Sequence, residues 1–317
     1  MELPFTYDSL QSESGRRPVG FRFSKHIINI TARLVGQEIV VCGEADSREI
    51  AEAKAFSELV ERSALISSAE TYNAETSNGW AAHPDKDHAR LNAILELVER
   101  DAVLSQWYSS TPFFEIQVSD LPEKIRQWSK EELSRSEFPH LRVLLSTRGL
   151  GPSVTCLFMD KNGLGVSAHS TRLSLEDSIE SAIAEVCRAA HGTIRREHWQ
   201  DTIKLRDGMP GFVDPGTHAV YYAYHEAFPG WMFGNQLSWD EAIQQWQTQI
   251  DSVTNGLNDF IYQPVFKLPL HVGFAKHSTA FNLHWRRTVV EQVAKTKGAS
   301  RLNLKTETIN GKPHIVS

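Results

Sequence analysis

The chain has 317 residues, 41% of them apolar and 23% charged, with a formal charge of −6. That length buries a substantial core, and mild acidity with no long basic run argues against nucleic acid as a partner. Cys42, Cys156 and Cys187 stand far apart, which excludes CxxC zinc and redox pairs, and an odd cysteine count suits a reducing compartment.

The N-terminal Met-Glu-Leu-Pro lacks the basic and apolar regions of a secretory signal, and no stretch approaches the ~18 apolar residues of a membrane span. A cytoplasmic protein with no membrane association is expected. Two β-like runs, 27–31 and 38–43, flank Val35-Gly36-Gln37 and predict a hairpin. Asp46-Ser-Arg-Glu49 predicts a capping-box start to a helix running to about residue 66. Residues 76–84 read as a loop from their Asn-Gly and Pro. Asp85 is the expected N-cap of a second helix, roughly 86–109. Residues 141–147 and 153–159 read as buried strands. After Asp160-Lys-Asn-Gly163 another strand leads to Ser174-Leu-Glu-Asp177, a second capping box opening a helix through about Arg188. Strands alternate with helices, so the class is α/β or α+β.

Beyond residue 200 the pattern weakens. Residues 200–217 read as an exposed loop, and Val220-Tyr-Tyr-Ala-Tyr224 as a strand. Residues 239–254 are amphipathic, with Trp239, Ile243, Trp246 and Ile250 at helical spacing, a stripe expected to pack in the core. No low-complexity linker cuts the chain, and a single domain over 1–317 is expected.

The first two long helices share a motif. Ala55-Phe-Ser-Glu-Leu-Val-Glu-Arg-Ser-Ala64 recurs as Ala93-Ile-Leu-Glu-Leu-Val-Glu-Arg-Asp-Ala102, with seven of ten positions identical. At helical spacing each copy places two carboxylates and a guanidinium on one face: Glu58, Glu61 and Arg62, then Glu96, Glu99 and Arg100. Magnesium wants oxygen ligands, so paired ExxE helices could hold it against a polyphosphate, with the arginines on phosphate oxygens. The alternative is a solvated face with weak ion pairs. Repetition of the Leu, Val and Ala frame along with the charges favours function. There is no P-loop, kinase Gly-rich loop, HExxH, EF-hand loop or complete GxSxG. Asn78-Gly79 is either a turn that lets backbone approach phosphate or a plain Asn-Gly turn. His88 and His169 lie near these segments, yet no catalytic base can be named. Cys187 reads as a small buried apolar residue.

Thr76-Ser-Asn-Gly-Trp-Ala-Ala followed by Ala93-Ile-Leu-Glu-Leu-Val-Glu-Arg-Asp-Ala102 closely resembles the signature of YcaO proteins. The earlier copy resembles the family's first ExxER helix. Leu175 to Arg188 resembles the third, and Ile309-Asn-Gly-Lys-Pro-His314 is similar to the ending of many members. The likeness is good over about 40–190 and looser over 200–317. It implies a YcaO-like fold of mixed sheets, with ExxER helices lining an ATP/Mg cleft. The implied ATP-binding residues are Glu58, Glu61, Arg62, Asn78, Glu96, Glu99, Arg100, Glu185 and Arg188. Of these, Glu58, Glu61, Glu96, Glu99 and Glu185 are the implied Mg2+ ligands.

The implied reaction is ATP-dependent activation of a peptide backbone amide. A Cys, Ser or Thr side chain of a precursor peptide adds to the preceding carbonyl. The oxyanion takes a phosphoryl group from ATP, and loss of phosphate leaves a thiazoline or oxazoline in a ribosomally made peptide. Implied partners are that precursor peptide, a separate leader-peptide-binding protein of E1-like (ThiF-like) type, a dehydrogenase, and a second copy in a homodimer. Three positions differ from the family pattern: Ser181 stands where arginine is common, Arg188 where glutamine is usual, and His88 where an acid is common. Residues 312–317 also lack the family's PxPxP tail, which favours thioamide formation with external sulfide as an alternative product. The altered third helix motivates a second alternative, a non-catalytic scaffold subunit.

Overall fold

The structure, a computed structural model, describes residues 6–15, 26–72, 78–136, 138–194, 221–223, 226–266, 270–281 and 289–310. The chain divides into two compact units. The first comprises the described parts of Met1–Pro18, Ser24–Leu97 and Leu257–His277; the second, those of Val98–Gly256 and Ser278–Ser317.

In the first unit, β1 (Ser9–Gly15), β2 (His26–Leu34) and β3 (Gln37–Ala45) form an antiparallel sheet in that order. The expected hairpin is β2–β3. Leu34 pairs with Gln37, and the two residues between them, Val35 and Gly36, take φ of 51° and 76°, the left-handed conformation of a tight hairpin turn. Alternation along the pleat turns Ile28, Ile30, Ala32 and Leu34 of β2, with Ile39, Val41 and Ala45 of β3, to one buried face. Helix α1 (Arg48–Tyr72) lays Ala51, Ala55 and Leu59 on that face. Its start is one residue later than expected: Ser47 Oγ, rather than Asp46, accepts the Ile50 N–H at 3.2 Å.

A second sheet runs β10 (Ile261–Phe266), β11 (His271–Lys276), β4 (Trp80–His83). The expected loop over 76–84 therefore contains a strand, whose ladder partner β11 lies far along the chain. Trp80 stacks on Phe274 at 4.8 Å, and both pack with Val60, Ala64 and Val272. Helix α2 (Lys86–Tyr108) begins as expected at Asp85, whose Oδ1 accepts the His88 N–H at 2.8 Å. Its residues up to Leu97 fall in the first unit and the rest in the second.

The second unit is built on a five-stranded sheet in the order β8 (Gly165–Ser170), β7 (Ser153–Met159), β6 (His140–Ser146), β5 (Phe113–Ile116), β9 (Phe233–Leu237). All pairs are antiparallel except β5–β9. The two expected strands are β6 and β7, both almost wholly buried. Helix α3 (Glu123–Glu131) buries Ile125. Helix α4 (Leu175–Ile194) packs against β7 and β8, its start capped by Ser174, whose Oγ accepts the Asp177 N–H at 3.1 Å. It runs past the expected end at Arg188.

Tyr221, Tyr222 and Ala223 are helical, not a strand. Helix α5 (Trp239–Asn255) opens on a full Ser238–Glu241 capping box. Its buried stripe is Ala242, Trp246, Ile250 and Val253, while Ile243 is 41% exposed. Trp246 and Ile250 are buried as expected, while near the start of the helix a small Ala, not the neighbouring Ile, faces the core. Two short helices, α6 (Val289–Ala294) and α7 (Lys297–Arg301), bring Val293 and Ala299 into a core with Val103, Leu104, Trp107 and Tyr108 of α2. The expected loop at 200–217 and the ending at 311–314 lie outside the described residues. Among the described residues, no helix is long and apolar enough to cross a membrane.

Candidate functional site

The site residues of the first unit are placed by α1 and α2. The β3–α1 packing brings Glu58 under the sheet, where its Oε2 accepts the Cys42 N–H at 3.4 Å. The other oxygen of Glu58 stands 3.8 Å from Arg62 Nη2, a loose pair with Arg62 half-exposed. One turn along from Glu58, Glu61 keeps a little exposed surface yet is deep enough that lost hydration raises its pKa well above the carboxylate range. The negative charge of Glu96 on α2, then that of Glu58, push it further up. Arg62 and a hydrogen bond from the Ala82 N–H pull it down only in part.

Glu61 thus sits partly dehydrated in the field of the Glu96 and Glu58 carboxylates, and Arg62 offsets only part of that field. A divalent cation beside Glu61 would relieve that repulsion, and a hard ion such as Mg2+ suits carboxylate oxygens. Asn78 is buried at the turn that opens β4. Gly79 beside it has φ +73°, and a Cβ there would lie 2.7 Å from the Ala275 carbonyl oxygen. That turn is therefore fixed by packing against β11.

In the second unit, Glu99 is buried and its Oε2 accepts the Thr171 N–H at 3.1 Å. Its Oε1 lies 3.6 Å from Nε of Arg100, which is largely covered. On α4, Glu185 and Arg188 pair at 3.6 Å and both stay about one-third exposed. One turn before Glu185, Ser181 Oγ accepts a hydrogen bond from Arg172 Nη2 at 3.0 Å. Sequence reasoning passed over Arg172 and Thr171, which sit between β8 and the α4 cap without a motif of their own.

His169 is buried in β8 with Nδ1 2.8 Å from Thr155 Oγ1, and His88 is exposed at the start of α2, its ring 2.9 Å from Asp85. Cys187 is buried, as expected.

The sequence matches the family model described as YcaO cyclodehydratase, ATP- and Mg2+-binding, over residues 65–260, more than half of the chain. That span contains Glu96, Glu99, Arg100, Glu185 and Arg188. No curated protein sequence matches the chain. Among solved structures, it is similar to YcaO from Methanopyrus kandleri bound with AMPPCP and Mg2+, at TM-score 0.61 and 15% identity, covering 89% of this chain and 87% of that one. A heterocyclase in complex with substrate and cofactor aligns at TM-score 0.60 and 13% identity, covering 96% of this chain and 54% of the longer heterocyclase. The E. coli microcin synthetase McbBCD complex with pro-MccB17 bound contains a chain that aligns at TM-score 0.51 and 11% identity, over 83% of this chain and 89% of that one. At these identities the likeness is one of fold.

Proposed function

This chain belongs to the YcaO family, and from that premise we propose that it is an ATP-dependent enzyme that activates a peptide backbone amide, as in cyclodehydration. MgATP, when bound, supplies the phosphoryl group that turns an amide oxygen into a leaving group. The observation that carries this reading is the charge crowding at Glu61: two neighbouring carboxylates and lost hydration together favour a bound cation.

In this proposal Glu58, Glu61, Glu96, Glu99 and Glu185 hold Mg2+. Arg62, Arg100 and Arg188 offset the charge of phosphate oxygens, and Asn78 lines the nucleotide. The ion pairs that Arg62, Arg100 and Arg188 make with Glu58, Glu99 and Glu185 measure 3.6–3.8 Å, and in this proposal the guanidiniums also serve the phosphate oxygens. Thr171 and Cys42 orient the carboxylates by donating backbone N–H bonds to Glu99 and Glu58.

The substrate we propose is a ribosomally made precursor peptide whose Cys, Ser or Thr residues are closed into azolines. A separate leader-binding protein would deliver the peptide, and the enzyme would act as a homodimer. The test is calorimetric titration of MgATP into the protein and into Glu96→Ala/Glu99→Ala. Binding by the wild-type protein that vanishes in a folded double variant is the expected result; equal binding by both overturns the carboxylate assignment.

A further inference from the structure

We propose that Arg172 is a phosphate-binding residue, aimed across the outer face of α4 by Ser181. The inference rests on the ATP reading above and names a residue which that reading did not contain.

The segment between β8 and α4 is held at almost every polar group. Thr171 donates its N–H to Glu99 and its hydroxyl to the Pro152 carbonyl at 2.9 Å. The Arg172 N–H bonds Ser178 Oγ at 2.8 Å, and that hydroxyl in turn donates to the Ser174 carbonyl at 2.7 Å. Ser174 caps the helix through Asp177. A backbone tied this way has little freedom, so the direction of the Arg172 side chain is set before any ligand arrives.

The side chain is then fixed twice. Nη1 donates to the Thr171 carbonyl at 3.0 Å, and Nη2 donates to Ser181 Oγ at 3.0 Å. Both acceptors are uncharged. Among the described residues Arg172 forms no ion pair, although it is exposed and an arginine in that setting commonly finds a carboxylate. Positions 178, 181, 185 and 188 share one face of α4 by helical period, so the guanidinium lies one turn from Glu185, on the face that also carries Arg188. Immediately before it in sequence, Thr171 holds the buried Glu99. A rigid, unneutralised guanidinium beside two proposed Mg2+ ligands is complementary to the phosphate oxygens such ions accompany. Two N–H groups are spent on Thr171 and Ser181, and the planar fork has further donors for an anion.

The experiment measures MgATP affinity by calorimetry for wild type, Arg172→Ala, Ser181→Ala, Arg172→Ala/Ser181→Arg and the Glu96→Ala/Glu99→Ala control. Loss of a charge-assisted contact predicts about a 10- to 100-fold weaker Kd for Arg172→Ala. Ser181→Ala frees the side chain without removing its charge and should weaken Kd by less. Arg172→Ala/Ser181→Arg returns a guanidinium to the same patch from α4 itself and should recover a large part of the loss, which a merely structural role would not show. Wild-type affinity in Arg172→Ala, with binding abolished in the glutamate control, overturns this inference and leaves the ATP reading standing. Loss in Arg172→Ala with no recovery in the relocated variant also overturns it. No MgATP binding by wild type, or full binding by the glutamate control, brings down the reading on which it rests.

Discussion

Arg301 Nη2 lies 3.0 and 2.9 Å from the two carboxylate oxygens of Asp101, two hundred residues earlier in the chain. Asp101 is fully buried, and its oxygens also accept the N–H groups of Phe281 at 2.7 Å and Leu150 at 2.8 Å. One side chain of α2 thereby ties down α7, the turn after β6 and the backbone at Phe281. In sequence Asp101 follows Glu99-Arg100 and looks like part of the functional motif, but its role is to hold the second unit together. Removing one partner of a buried pair strands the other, at a cost of about 3–5 kcal/mol. Asp101→Ala should show a loss of that order in urea unfolding. Asp101→Asn keeps the shape and part of the acceptor set, and should lose less.

The crowding at Glu61 predicts opposite effects on stability and on cation binding. Glu61→Gln removes a charge that burial, Glu96 and Glu58 all disfavour, so the metal-free variant should melt at a higher temperature than wild type. Added Mg2+ should raise the melting temperature of wild type by mass action and do little for the variant. Thermal melts with and without Mg2+, and with excess EDTA, check both halves. A variant that gains nothing without metal, or that responds to Mg2+ as wild type does, would count against the carboxylate set.

What the sequence revealed, and what it hid, follows the range of each interaction. The ExxER copies, the hairpin at Gly36 and the Asp85 cap are local: each is complete within a few residues, and helical or strand period exposes it. Strand β4 is not, because Trp80–His83 acquires its ladder only from β11. The role of Asp101 is hidden for the same reason, since its partners Arg301 and Phe281 lie far along the chain. Arg172 was hidden differently: its partner Ser181 is nine residues away, but a side chain reaching from a loop to a helix leaves no periodic trace. Ser181 had read as a departure from the pattern of the third helix, and the structure shows a guanidinium bonded to it.

Glu115 and Arg142 give a test in pH. They pair at 2.8 Å across β5 and β6, with the Arg142 guanidinium 4.3 Å above the Phe233 ring. Burial raises the Glu115 pKa more than Arg142 lowers it. The folded chain therefore keeps this proton over a pH range in which the unfolded chain has released it. Stability falls as pH rises from the ordinary carboxylate pKa through the raised one, and levels off above it. Glu115→Gln removes that slope. Relative to the variant, wild type should fare better in urea unfolding at about pH 4 than at about pH 7, and a difference independent of pH would refute the assignment.

Two glycines of the first unit should respond differently to alanine. At Gly36 a Cβ would meet nothing within 4 Å, and the only obstacle is φ +76°. Gly36→Ala should cost on the order of 1–2 kcal/mol for the left-handed conformation, and Gly36→Asn less. At Gly43 the backbone conformation is ordinary, but a Cβ would lie 1.9 Å from the Ala51 carbonyl oxygen and 2.4 Å from the Ala55 nitrogen. Both are backbone atoms of α1, so no rotamer change relieves the clash and the helix must lift off the sheet. Overpacking of this kind costs about 1–3 kcal/mol or more. The same movement would separate Glu58 from the Cys42 N–H that orients it. Gly43→Ala should therefore lower the melting temperature and also shrink the added stability from Mg2+, whereas Gly36→Ala should lower the melting temperature alone. Parallel melts of the two variants, each with and without Mg2+, separate a defect at the turn from one transmitted to the carboxylates.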